Sequence, residues 1–517
     1  MSDDSAPLAR NATIIALGNI ASRVLGLVRD RVKSHYFGST GPVSAYETAV
    51  IVPVTIYDLL IGGMVSSALV PVFSEYLALG KKQELGSLVV TLLAFLSVVM
   101  AVFVLVVQLA APAVATFMAP GYSPELHTLL VQLLRVLVFG LFFMSLAAVL
   151  SGLLYALKRF TLPTFTAALF NLGIIAGALV LQAQLGVTSL AVGLLLGALL
   201  QVLVQVPGLR GVALGWRINF AHPGLRQIAR LYLPIILGLV ISNASVILST
   251  RLINSTGERS AAWNDYATSL MQFPLGLVVT AVSVAILPTL SQTAVTSEKE
   301  FKATLAQGLR LVLALIIPAV VGMSLLAEPI TALLYQSGQF TAYDTAIVSL
   351  VLRVQMIGVF FAAIDQPLIF AFYARKDTLT PALVGMAGVG VFLGIALAIS
   401  LLRPLTLIDL DAANDAQLAA HALVMLALFR HRLGGFEDAR VGETFFRASL
   451  AAILMGGAVF FTQRALERWP VLLQVIGAGG VGLLTYFWLA ARFNIAEARV
   501  AIDLIQRSIM GRMKEKG

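Results

Sequence analysis

Apolar stretches recur along the whole chain, broken by short clusters of Pro, Gly and charge. A bilayer core about 30 Å thick takes roughly 20 helical residues to cross, so the pattern predicts about fourteen transmembrane helices. Six spans are expected near 11–29, 45–73, 86–113, 126–156, 163–184 and 186–209, and six more near 228–253, 261–290, 306–328, 346–372, 379–402 and 415–429. A last pair is expected near 443–463 and 470–492, and the second and eighth spans are the least uniformly apolar. No soluble domain fits between them. The expected fold is an all-α polytopic membrane protein.

Local matches at one offset predict an internal repeat. ALVPVFS at 68–74 answers AILPTLS at 285–291, LLRVLVFG at 133–140 answers VLRVQMIG at 351–358, and YALKRFTLP at 155–163 answers YARKDTLTP at 373–381. Gly121 before Tyr122 answers Gly338 two residues before Phe340, again about 217–218 residues away. Six helices return the chain to the same side, so these are parallel repeats about an axis along the membrane normal, which flank a central cavity. The expected organisation is a six-helix lobe over 1–210, a second over 211–432, two further helices over 433–494 and a basic interfacial tail over 495–517.

Composition agrees: 59% of residues are hydrophobic and 12% charged, with mean hydropathy +0.92. The net charge of +9 sits in short loops, where it sets topology, rather than on a stripe that would bind nucleic acid. Basic residues favour one side roughly three to one, which predicts cytoplasmic N- and C-termini. The N-terminal segment carries Arg23 inside its apolar run and reads as a retained first helix rather than a cleaved signal. There is no cysteine, and the five histidines are scattered, so redox and metal chemistry are not expected and no cofactor is implied. No phosphate-binding P-loop occurs, leaving an ion gradient, membrane potential or substrate gradient as the drive. Asp409-Leu410-Asp411 resembles a glycosyltransferase DxD but reads as turn or helix-cap chemistry in a short connection.

Charge inside a span costs about 2.5–3.5 kcal/mol, so ionisable groups there are the first candidates for function. Arg23 lies mid-helix and Arg29 at the helix end; guanidinium forks suit pyrophosphate oxygens. The alternative for Arg23 is a structural pair with Asp58, Glu47 or backbone carbonyls. Arg251 ends the seventh span, at a place roughly comparable to Arg29, or else snorkels to the interface. Arg135 and Arg353 are repeat-equivalent and read as topology or packing residues. Glu47, Tyr57 and Asp58 give the second span polar groups, and Asp265, Thr268, Ser269 and Gln272 form a stripe on the eighth that lines water or bonds a neighbouring helix. Asp365 is a cation or proton site, or a partner for Arg353.

SRVLGLVRD at 22–30, SALVPVFSEY at 67–76, APGYS at 119–123, LMQFPLG at 270–276, ILPTLS at 286–291, YQSGQFTAYD at 335–344 and FYARKDTLTP at 372–381, in this order, resemble the MviN/MurJ family of lipid II flippases, within the multidrug/oligosaccharidyl-lipid/polysaccharide exporter superfamily. The resemblance covers nearly the whole chain. It implies fourteen helices, two lobes about a cavity, a groove for the polyprenyl tail formed by the last two helices, and alternating-access transfer of the polyprenyl-pyrophosphate-linked disaccharide-peptide, lipid II, to the outer leaflet of the bacterial inner membrane. Cell-wall synthesis proteins are possible partners, with membrane lipids as surroundings. The family's two first-helix cavity arginines carry over to Arg23 and Arg29, and the following acid to Asp30. The pattern departs at Tyr57, where the family usually has Arg, at Ser44, where it has an acid, and at Thr268, Ser269 and Gln272, where it has Asp-Arg-x-x-Glu. Arg251, Glu47 and Asp58 are the residues that could compensate. The competing expectations are an exporter of another lipid-linked saccharide and a transport-deficient scaffold of wall synthesis.

Overall fold

A computed structural model describes residues 5–215, 217–436 and 440–497. Among them there is no strand, and fourteen long helices follow in order: α1 (Ser5–Phe37), α2 (Gly41–Ala78), α3 (Lys82–Met118), α4 (Pro124–Ala156), α5 (Thr166–Leu185), α6 (Thr188–Leu209), α7 (Pro223–Ser255), α8 (Ser260–Thr296), α9 (Glu298–Leu325), α10 (Ala342–Ala374), α11 (Leu379–Ser400), α12 (Leu407–Leu433), α13 (Val441–Ala465) and α14 (Val471–Arg492). Twelve are long and apolar enough to cross a membrane, and α1 and α7 add 33 residues each. Leu109, Val180, Phe461 and Leu484 are each more than 70% exposed, a surface that hydrocarbon solvates and water does not. This is a multi-pass membrane protein.

Compact packing divides the chain into unit 1, Met1–Ala262 with Ser337–Thr341, and unit 2, Trp263–Gln336 with Ala342–Gly517. Repetition and compactness therefore divide the chain at different places. The repeat starts afresh with α7, yet Ile228 and Tyr232 of α7 are buried against Ile61, Phe73 and Leu88 in unit 1. A second core of unit 1 surrounds Leu130, Leu133, Leu134 and Leu137 of α4. In unit 2, Leu305 and Leu309 of α9 pack with Leu368 and Phe372 of α10 and Met425 and Phe429 of α12, while Tyr486 of α14 donates its hydroxyl to the Ala314 carbonyl of α9. Most of the expected interfacial tail, from residue 498 onward, lies outside the described residues.

Lipid removes much of the hydrophobic drive for helices to associate, so close approach of backbones matters. Helices α5 and α6 achieve it with Gly173, Gly177, Gly193 and Gly197. A Cβ on Gly173 would lie 2.3 Å from Gly197 Cα, and one on Gly177 would lie 2.5 Å from Gly193 Cα.

The repeat is present in local geometry. Helices α1 and α7 end 218 residues apart, at 37 and 255, and α4 and α10, equal in length, begin 218 residues apart, at 124 and 342. Wide i→i+5 turns interrupt α2 at Asp58–Gly62 and α8 at Leu275–Thr280. After α4, Lys158 is left-handed (φ 59°), with Lys158 N–H bonded to Tyr155 O and Arg159 N–H to Leu154 O. After α10, Lys376 (φ 63°) repeats this with Tyr373 O and Phe372 O. Both are Schellman caps, a motif that glycine usually closes.

Helix α12 begins at Leu407, earlier than the expected 415, because Asp409, Asp411, Asn414 and Asp415 dilute its apolar pattern. Thr406 and Asp409 form a reciprocal capping box, and left-handed Gly434 (φ 75°) ends the helix after Arg430, His431 and Arg432. Asp409 thus caps the helix as its sequence suggests. Asp411 does not lie in a connection: it is buried inside the helix.

Candidate functional site

Helix α1 carries the two leading arginines in different states. Arg23 is exposed and makes no hydrogen bond or ion pair among the described residues, so the alternative pairing with Asp58 or Glu47 does not form. Arg29 is held: its Nε and Nη2 donate to Asp30 Oδ1 at 2.9 and 2.8 Å, and Nη1 donates to Asn171 Oδ1 of α5 at 3.0 Å. Asn171 Nδ2 donates to the carbonyls of Ser22 and Ala167, which turns its oxygen toward Arg29. Below it, Lys33 Nζ lies 3.7 Å from Asp30 and donates to Glu47 Oε1 of α2 at 2.6 Å. Asp30 and Lys33 are buried, so each neutralises a charge that lipid or protein would otherwise have to solvate. The sequence reading missed this ladder and Asn171; the i, i+3 spacing of Asp30 and Lys33 was its one visible signal.

Tyr57 and Asp58 stand at the first wide turn of α2. Tyr57 is half-buried against an apolar core, and Asp58 is exposed. The turn releases carbonyls from the helical ladder, and Tyr232 of α7 recovers two of them: its hydroxyl donates to Leu59 O at 3.0 Å and lies 3.4 Å from Asp58 O.

Arg251 is placed differently from Arg29. The 218-residue offset of α1 and α7 aligns it with Lys33 instead, and its Nη1 donates to the Phe117 carbonyl at the end of α3 while the guanidinium lies 4.7 Å over the Phe117 ring. Nearby, buried Asn254 accepts from the Tyr122 hydroxyl at 2.8 Å and donates to Met118 O and Thr48 Oγ1. This end of α7 is therefore locked to α2 and α3 through a network the sequence did not reveal.

In unit 2 the α8 stripe divides. Thr268 lies 3.3 Å from Gln355 Nε2 of α10, Ser269 is half-buried and Gln272 is exposed. Asp365 is paired with His421 Nδ1 of α12 at 2.7 Å, not with Arg353. Arg353 instead donates to Ser324 O and faces Glu328 at 3.8 Å, in a polar cavity of about 690 Å³ shared with Arg464 and Glu467. Within unit 1, none of Arg23, Arg29, Tyr57, Asp58 and Arg251 bonds to another of the five among the described residues.

The chain matches the sequence profile of the family described as lipid II flippase MurJ over residues 33–477. A probable lipid II flippase MurJ of Haemophilus influenzae is 28% identical over 471 residues, covering 87% of this chain and 92% of the relative. The lipid II flippase MurJ of Burkholderia cenocepacia is 30% identical over 377 residues, covering 70% and 72%. A solved lipid II flippase MurJ in an inward closed conformation shares the fold with TM-score 0.79 at 23% identity, over 93% of this chain and 98% of that one. An inward-facing multidrug-resistance MATE family transporter, described as belonging to the MOP superfamily, shares it with TM-score 0.70 at 15% identity, over 80% and 94%. With a helical membrane fold, a repeated half and a family match over most of its length, the chain belongs to the lipid II flippase MurJ family, whose members are transporters and not enzymes.

Proposed function

We propose that this protein moves lipid II from the inner to the outer leaflet of the bacterial cytoplasmic membrane, its two six-helix repeats (1–210 and 211–432) alternating access to the cargo. The family match over 33–477 carries this reading. The state of α1 supports it: Arg23 is exposed with its donors uncommitted, and Arg29 is held in orientation by Asp30 and Asn171. In this reading Arg23 takes the pyrophosphate first and Arg29 fixes its position, both through charge-assisted forks. Arg251, Tyr57, Asp58, Ser269 and Gln272 contribute more weakly. The distribution of Lys and Arg supports cytoplasmic termini. Membrane potential or an ion gradient supplies the drive, and any recruitment of wall-synthesis proteins follows from delivery of their substrate.

A second reading, an exporter of another lipid-linked saccharide, draws on Tyr57, Thr268, Ser269 and Gln272 standing uncharged where the family usually carries charge. A test is depletion of the resident flippase in a bacterium, with rescue scored by lipid II exposed on the outer leaflet. Wild type should rescue. Arg23→Ala, at matched abundance, should lose charged hydrogen bonds worth about 1.5–3 kcal/mol each, roughly a 10- to 100-fold loss of cargo binding. Equal rescue by Arg23→Ala would remove Arg23 from the mechanism, and failure of inserted wild type would favour the second cargo.

A further inference from the structure

Helix α12 carries Asp411 and Asp415 one turn apart on one face, 6% and 5% exposed. Gln355 of α10, 4% exposed, brings its amide Nε2 to 3.1 Å from Asp411 Oδ1, 3.2 Å from Asn264 Oδ1 and 3.3 Å from Thr268 Oγ1. Asp415 Oδ1 occupies the space beside Gly358, where a Cβ would lie 2.2 Å from it. Three buried oxygens are left without a hydrogen bond: Asp411 Oδ2, Asp415 Oδ2 and Gln355 Oε1.

Among the described residues no Lys, Arg or His pairs with either carboxylate. On α10, Arg353 faces Glu328, Asp344 accepts from Trp263, Asp365 holds His421, and Tyr373 packs on Phe370. Helix α11, packed on the other side, has no ionisable side chain; α8 brings Asp265 and Tyr266, the latter against Tyr335. On α12 itself, Asp409 is committed to Arg403 and His421 to Asp365.

Two carboxylates without a compensating cation cannot both stay ionised in such surroundings at acceptable cost. A proton removes one charge and creates an O–H donor for the orphaned acceptors, which a metal ion does not. The group at the centre, Gln355 Nε2, is itself a donor and presents hydrogens where a metal would need oxygen. We propose that Asp411 and Asp415 form an exchangeable proton site inside unit 2 and that its loading and release drive the transport cycle. The second half of this proposal rests on the transport reading above. With one proton shared, the pair carries a single negative charge, which the Gln355 amide donor helps to hold, and stays dry; with none it carries two uncompensated charges and favours a state that admits water.

The test is infrared difference spectroscopy of the full-length protein in lipid nanodiscs, stepped from neutral to alkaline pH, for wild type, Asp411→Asn, Asp415→Asn and the double variant. A carboxylic-acid carbonyl band should be present at neutral pH, vanish on alkalinisation, weaken in the single variants and be missing from the double variant, with no change when choline replaces Na⁺. The double variant should also fail in the rescue assay that wild type passes. Only ionised-carboxylate bands at neutral pH, an acid band that persists in the double variant, or loss of the band on adding Na⁺ would overturn the site. Full rescue by the double variant would overturn its role in the cycle. Failure of wild type to rescue would strike the cargo assignment, while the spectroscopic result stands by itself.

Discussion

His222 stands immediately before α7, and its Nδ1 accepts from Gly224 N–H at 3.1 Å. Burial holds its imidazole below the usual histidine range, with Glu84 opposing in part. The folded state therefore binds the proton more weakly than the unfolded state, and a protonated Nδ1 cannot accept. The cap's contribution, about 1 kcal/mol, should be complete above about pH 6.5 and be lost as pH falls below it. His222→Asn caps with an amide oxygen, so its thermal midpoint should fall less than that of wild type on acidification; parallel curves would refute the assignment. Lys33 makes a second prediction. Lys33→Met strips the lysine from buried Asp30 and half-buried Glu47 and should cost about 3 kcal/mol in thermal or denaturant unfolding. At this scale the sequence singles out a residue that is costly on its own, such as Arg23, which the structure shows exposed. The sequence was not legible where meaning arose from a partner on another helix, as with Asn171 for Arg29 or Gln355 for Asp411.

Helix boundaries followed from hydropathy because each span answers to the same membrane thickness. The exception, α12, begins with capping residues and acids whose burial depends on Gln355 and Gly358 of α10, and no periodicity within 407–415 announces that. The wide turns of α2 and α8 were visible only as weak amphipathicity, since carbonyls released from a ladder have no residue signature until a donor such as Tyr232 is in place. Packing between α5 and α6 gives a sharper test. Gly197→Leu would drive a side chain into the Phe170 backbone, whose carbonyl oxygen lies 2.5 Å from where the new Cβ would stand. Overpacking of this kind costs about 1–3 kcal/mol, and the variant should lower the thermal midpoint more than the same change at Gly480, where a Cβ meets nothing within 4 Å.

For the molecule as a whole, the repeat was the most legible feature, because an offset survives in short matches even when little else does. Which compact unit takes α7 was not legible: the helix opens the second repeat but buries Ile228 and Tyr232 in unit 1, and that choice lies in packing rather than in pattern. The two lysine-closed turns add a fact about origin. A left-handed lysine costs roughly 1–2 kcal/mol that glycine avoids, so Lys158→Gly and Lys376→Gly should each raise stability by about 1 kcal/mol in thermal unfolding. Independent invention has little reason to choose the more strained residue twice, at one offset and with the same two hydrogen bonds. Copying does. Lys158 and Lys376 read as a shared inheritance from a half-length ancestor, a scar of duplication kept in both descendants, and the turns they close should still be interchangeable between the halves.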